Sequence, residues 1–419
     1  MCVVPEYAQR GGNVTKPIVP SAASPDPIVT QDQLNDLVDE LRRAGAFAFD
    51  TEFIPERSYF PKLCLLQIAT ADRIAIVDPL APVDLSAFAD LLVDPTIDKT
   101  VHAAQGDLEP FALLIGAEPS NVFDTQVAAG FCGLPYPVSL SRLTEQILGI
   151  QLDKTSTLTQ WDRRPLAMQQ LTYAAQDVAH LLALRADLER RLHDAGNTEW
   201  AQQEFAARCG SVMRAYDQDT AFRRIRGAEA LSAVAQAVLR ALLDWRDQAA
   251  RDENIPAQTV ARDDVLLYIA RDPKASEHRL IARGLPEDVL RTYGKQMQHA
   301  IRQGLRSSDE VAAVQTAPRP SPEEEFRYDA LWVVAQSLAV GQSISPALAV
   351  NHRETDALYQ AISNGEPFAE HRIMTGWRRE AIGEPLVDVL TGKCQIQIGY
   401  SVHKSRVTLI EPLPLQKCD

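Results

Sequence analysis

Apolar residues recur along the chain at two different spacings, and the switch between them divides it. QDQLNDLVDELRRAG, from Gln31 to Gly45, has helical spacing and stops at a glycine. AFAFDTEF, KLCLLQIAT and RIAIVDP then read as strands, each bounded by turn or charged residues. KTVHA is a further short strand ahead of a helix that opens at Asp107, and helical spacing dominates from Asp124 to about Asn197. Strands first, with helices around them, predict a mixed sheet flanked by helices.

The next segment is wholly helical. Residues 228–308 hold the amphipathic stretch LSAVAQAVLRALLDWRDQAARDEN, and IPAQTVARDDVLLYIA, HRLIARGLPEDVLRTYG and KQMQHAIRQGL follow as short helices. A Pro- and acid-rich linker at 309–323 leads into a second helical segment at 324–392. The tail at 393–419 alternates apolar and polar residues like one or two strands. Residues 1–26 are rich in Pro, Gly, Ser and Ala without periodicity and read as a flexible lead.

Length and composition narrow the class. A chain of 419 residues with 46% hydrophobic content can bury two or three cores. No stretch reaches about 18 apolar residues, so no membrane span is expected. The six cysteines show no CxxC pair and no histidine at ligand spacing, which argues against a zinc site and a disulfide framework. A reduced, cytoplasmic protein is the expectation. The net charge of -14 sits poorly with nucleic-acid binding, but local basic groups can still meet phosphates.

The chemistry lies in three segments. Asp50 and Glu52 are two apart on a strand, so both carboxylates share one face while Phe47, Phe49 and Phe53 point the other way. Tyr173 and Asp177 are four apart on a helix, one above the other. Asp107 is the remaining acid, although as a lone residue it could simply cap its helix. Hard oxygen donors suit Mg²⁺ or Mn²⁺. Two such ions about 3.5–4 Å apart can activate water and stabilise the leaving oxygen of a phosphodiester. Asp124, in VFDTQ, reads as a helix cap, and His102 stands at a strand end as either a core residue or a neighbour of the site.

With DTE at 50–52, HA and DLE from His102 through Asp107, and YAAQD at 173–177, the chain resembles the DEDD 3′–5′ exonucleases of the tyrosine-bearing subgroup, within them ribonuclease D. RSYFPKLCLLQIAT, IVDPL, DTQVAAGFCG, LDK and RRPL extend the resemblance over about residues 27–215. It implies a ribonuclease H-like fold and two divalent metal ions. By the same resemblance Asp50 bridges both metals, Glu52 and Asp177 complete the nucleophile-side site, Asp107 supports the second metal and Tyr173 orients or deprotonates the attacking water, orientation being favoured because a free phenol titrates at about 10.

The family usually has an acid immediately before the tryptophan, where this chain has Gln160 before Trp161, a change that bears on substrate handling. His102, Lys154, Trp161, Arg163 and Arg164 are candidate substrate contacts, with Arg223, Arg224 and Arg226 as outer candidates. WRDQAARDENIPAQTVARDDVLLYIA resembles an HRDC domain, and SPALAVNHRETDALYQAISNG with GWRREAIGEPLVDVL resembles a second one, as tandem capture modules for RNA. The implied activity is exonucleolytic removal of nucleoside 5′-monophosphates from RNA 3′ ends, in transfer RNA precursors and other stable RNA. A DNA exonuclease with the same centre and a catalytically silent binding scaffold are the alternatives.

Overall fold

The computed structural model describes residues 26–54, 57–152, 160–212, 221–222, 224–228, 230–307, 321–399 and 408–414. Lys154, most of the expected lead and the linker up to residue 320 lie outside them, and the last linker residues instead open the helix Pro322–Gly341. The first unit contains α1 (Gln31–Ala44), β1 (Ala46–Ile54), β2 (Lys62–Ala69), β3 (Ile74–Val77), α2 (Ser86–Val93), β4 (Asp98–Val101), α3 (Gln105–Ile115) and β5 (Val122–Asp124). It continues with α4 (Thr125–Phe131), α5 (Leu140–Leu148), α6 (Met168–Ala179), α7 (Leu181–Ala195) and α8 (Thr198–Cys209).

The sheet order is β3-β2-β1-β4-β5, with the first two pairings antiparallel and the last two parallel. The short strand β5 is an addition to the expected set, since three residues are too few to show a period of two. Alternation in β1 works as expected. Phe47 and Phe49 are fully buried on one face with Phe88 and Phe111, under α2 and α3. Leu65 and Ile76 pack on the other face against Leu171 and Ala174 of α6. Asp50 and Glu52 belong to this second face.

Next comes a helical unit of Ala233–Glu253, Ala257–Val260, Asp263–Arg271, Glu287–Ser307 and the one-turn Glu277–Ala282, with its own apolar core. One expectation is corrected here. The segments read as separate helices on either side of Gly294 form a single helix, and the break falls earlier, at Gly284 (φ +97°) and Pro286. Glycine inside a helix costs only about 1 kcal/mol. Packing of Val289, Met297, Ala300, Ile301 and Gly304 on Ala233–Glu253 runs the whole length and outweighs it. Tyr59, in the loop after β1, joins this unit to the sheet: its hydroxyl donates to Asp247, and Arg251 lies 5.0 Å over its ring.

The third segment, from Pro322–Gly341 through short helical pieces over 372–390, has no separate core among the described residues. Leu331, Ala335, Leu348, Trp377 and Ile382 share one apolar cluster with Phe131, Leu143 and Leu184 of the first unit. The Phe131 and Trp377 rings lie 4.7 Å apart, and Asn197 Nδ2 donates to both Phe131 O and Gln342 O at 2.8 Å. In the tail β6 (Cys394–Gly399) pairs antiparallel with β7 (Thr408–Pro414). No described helix is long and apolar enough to cross a membrane.

Candidate active site

The acids gather where the sheet opens. β4 pairs with β1 only through Ala46–Ala48, so among the described residues no strand lies beside the rest of the β1 backbone on that edge. Asp107, in the first turn of α3, fills the gap: its Oδ1 accepts from Thr51 N at 3.0 Å and from Thr51 Oγ1 at 2.5 Å. It is not the helix cap, because the helix opens at Gln105. Asp124 holds the turn that starts α3. Its carboxylate accepts from Ala103 N and Ala104 N at 3.0 Å while also capping α4 through Gln126 N and Val127 N. Ala103 sits at φ 62°, a left-handed conformation uncommon for alanine, and this bonding keeps it there.

From the other side, α6 brings down Tyr173 and Asp177, four residues apart on one helix face, with the phenol close enough to the carboxylate for each to act on the other's proton affinity. One carboxylate oxygen each from Asp50, Glu52 and Asp177 lies within 4.8 Å of the others. Asp107 stands outside this triad but close enough for its charge to act on all three.

Burial and mutual repulsion dominate the electrostatics. Burial, then the charges of Asp107, Asp177 and Glu52, push the Asp50 carboxyl well above its usual range. Burial followed by Asp177 and Asp107 raises Glu52 to about 8. Asp107 and Asp177 rise to about 7, again chiefly through burial, against the lowering influence of the Thr51 and Tyr173 hydrogen bonds. Four carboxyl groups so placed are not all ionised at neutral pH without a cation among them. All-oxygen donors of this kind match hard divalent ions. Burial and the neighbouring carboxylates also raise the Tyr173 phenol, which therefore keeps its proton and can donate a hydrogen bond but not act as a ready base.

The remaining candidates fall in different places. Both His102 nitrogens are engaged at 2.9 Å, Nδ1 with Thr125 Oγ1 and Nε2 with Val138 O. Trp161 is buried beside Tyr173, with ring centroids 6.2 Å apart. Arg163 is exposed. Arg164 makes a two-pronged contact with Asp78 at 2.5 and 2.6 Å and also donates to Trp161 O and Cys64 O, so it staples its loop to the sheet. Arg224 and Arg226 are exposed, and Arg223 lies outside the described residues. Sequence reasoning missed Thr51, Asp78 and Gln67. Only Gln67 carried a signal, as a polar residue inside an apolar strand.

The sequence matches the 3′–5′ exonuclease family over residues 25–193 and the HRDC domain over 235–301. Fold and acid cluster thus define a 3′–5′ exonuclease carrying a helical HRDC region. Ribonuclease D of Gluconacetobacter diazotrophicus is 32% identical, covering 89% of this chain and 95% of that one. Ribonuclease D of Granulibacter bethesdensis is 33% identical over 88% and 93%. The crystal structure of Escherichia coli RNase D, an exoribonuclease involved in structured RNA processing, superposes with a TM-score of 0.75 at 30% identity, covering 88% of this chain and 98% of that one. The chain belongs to the ribonuclease D family and is a 3′–5′ exoribonuclease, which leaves the silent-scaffold alternative without support.

Proposed function

We propose that this exoribonuclease removes nucleoside 5′-monophosphates one at a time from the 3′ ends of transfer RNA precursors and other stable RNA, in the cytoplasm, using two divalent ions, Mg²⁺ or Mn²⁺. The observation that carries the reading is the convergence of Asp50, Glu52 and Asp177 oxygens within 4.8 Å, with Asp107 beside them. Asp50, Glu52 and Asp177 would hold the ion that activates water, with Asp50 also available to a second ion that Asp107 would hold on the leaving-group side. When bound, such ions activate water and offset the charge that develops on the departing oxygen. Tyr173, which keeps its proton beside Asp177, would orient the water.

Capture of RNA falls to the helical region. Arg291, Lys295, His299, Arg302 and Arg306 follow one exposed face of Glu287–Ser307, opposite the face packed on Ala233–Glu253, and no acid occurs from Val289 to Ser307. Residues four apart on a helix are about 6 Å apart along its axis. This ridge offers a phosphate backbone a basic track on a protein of net charge -14. The third segment, sharing its core with the catalytic unit, is better suited to holding that unit together than to independent capture.

The test is a time course on a 5′-labelled single-stranded RNA and its DNA counterpart with Mg²⁺, with Mn²⁺ and with chelator. A metal-dependent ladder shrinking from the 3′ end of RNA alone supports the proposal. Equal ladders on both polymers would favour a DNA exonuclease, and activity in chelator would overturn the metal assignment.

A further inference from the structure

Gln67 interrupts the apolar run at 63–69 of β2, is 0% exposed, and neither its Oε1 nor its Nε2 has a hydrogen-bond partner among the described residues. Burying a carboxamide without partners is unfavourable, and a Leu or Met would fill the same strand position without that penalty. Its place in the sheet explains why an amide stands there. The β1–β2 register sets Gln67 directly opposite Asp50, and the β2–β3 register sets it opposite Ile76. Directly paired residues share a face with Cβ atoms about 4.5–5.5 Å apart, within reach of a glutamine side chain. The terminal torsion of glutamine is soft, so the amide can turn toward its neighbour, and no existing bond has to break for it to do so. The amide is also neutral. A lysine here would compete with a cation for Asp50, and another carboxylate would add to the repulsion.

We propose that Gln67 is a positioning residue for Asp50: its Nε2–H donates to the Asp50 carboxylate when a divalent cation is bound and fixes which oxygen faces the ion. The proposal rests on the metal-binding reading of Asp50. Groups that orient a metal ligand from behind typically change affinity or activity about 10–100-fold when removed.

Gln67→Met keeps the length of the side chain and Gln67→Leu keeps its apolar bulk. Each full-length variant is compared with the unaltered protein by thermal unfolding without metal, by calorimetric titration with Mn²⁺, and by kinetics on a short RNA. The expected result is a metal-free Tm equal to or above that of the unaltered protein, Mn²⁺ affinity lower by about 10-fold or more, and kcat lower by a similar factor at unchanged KM. Unchanged Mn²⁺ affinity and kcat in both variants would overturn the proposal and leave Gln67 a packing residue. A clear fall in metal-free Tm in both would overturn it too, by placing the amide's role in the fold itself. Absence of Mn²⁺ uptake by the unaltered protein is a different failure, which would remove the metal reading and this proposal with it.

Discussion

Thr51 and Asp107 meet at the open edge of β1, where the Thr51 hydroxyl at 2.5 Å and amide at 3.0 Å both donate to Asp107 Oδ1. The amide substitutes for a ladder bond that β4 ends too early to make, and the hydroxyl sets the rotation of the carboxylate. Thr51→Val keeps the shape and the amide but loses the hydroxyl. It should lower kcat by about 10-fold with KM for RNA unchanged, whereas Thr51→Ser should retain near-normal kcat. Steady-state kinetics on a short RNA separates the two variants, and equal losses would show that the hydroxyl does not matter.

Asp50→Asn and Asp177→Asn should each reduce hydrolysis to background while leaving RNA binding and the metal-free unfolding transition intact. Each change removes a carboxyl whose ionised form burial and its neighbours disfavour, so metal-free stability should hold or rise. Degradation at near-normal rate by either variant, with Mg²⁺ or Mn²⁺ present, would show that the ligand set is wrong.

Divalent ions should stabilise the fold. A ligand at about 100 times its Kd adds about 2.7 kcal/mol to the native state, which appears as a rise in Tm of several degrees. Thermal scans of the unaltered protein with Mn²⁺ and with chelator measure this shift, and Asp50→Asn should lose most of it.

Glu204 and Arg378 form an ion pair at 2.7 Å, both nearly inaccessible, where α8 meets the third segment. Trp377 Nε1 donates to the same carboxylate at 2.8 Å. Burial alone would raise the Glu204 carboxyl, but Arg378, Trp377 and Arg208 outweigh it and hold it at about 2. A carboxyl whose pKa is depressed on folding stabilises the native state above its unfolded value, near 4.5, and loses that contribution as pH falls toward about 2. Denaturation midpoints should therefore drop between pH 5 and pH 3, in part through Glu204. Glu204→Gln should be less stable at pH 7 and should show a smaller drop.

Removing only one partner of this pair should be severe. Arg378→Met leaves Glu204 buried without its main counter-ion, a change that typically costs about 3–5 kcal/mol. That is a large share of a total stability of about 5–15 kcal/mol. Urea titration measures the loss. Unfolding of the catalytic core together with the third segment, in one transition, is the expected behaviour for a shared core, and two separate transitions would contradict it.

Much of the candidate site was legible because it depends on local backbone periodicity. A period of two places Asp50 and Glu52 on one face of β1, and four residues of helix stack Tyr173 on Asp177, whatever surrounds them. The capping role of Asp124 is equally local. Arg164 shows where such reading stops: in sequence it is a basic residue near the site, but its partner Asp78 lies 86 positions away and takes up its guanidinium.

What the chain determined by itself was most of the elements, the motif acids and the helical character of the stretch between the sheet and the strand-forming tail. Tertiary structure alone decided that β4 ends after Val101 and leaves room for Asp107, that Gln67 lies opposite Asp50, and that one helix runs through Gly294. It also decided that the third segment buries its apolar face in the catalytic unit. The physical reason is common to these cases. A hydrophobic stripe or an isolated polar residue specifies that a surface will be covered, but the covering partner is chosen by contacts between residues far apart in the chain.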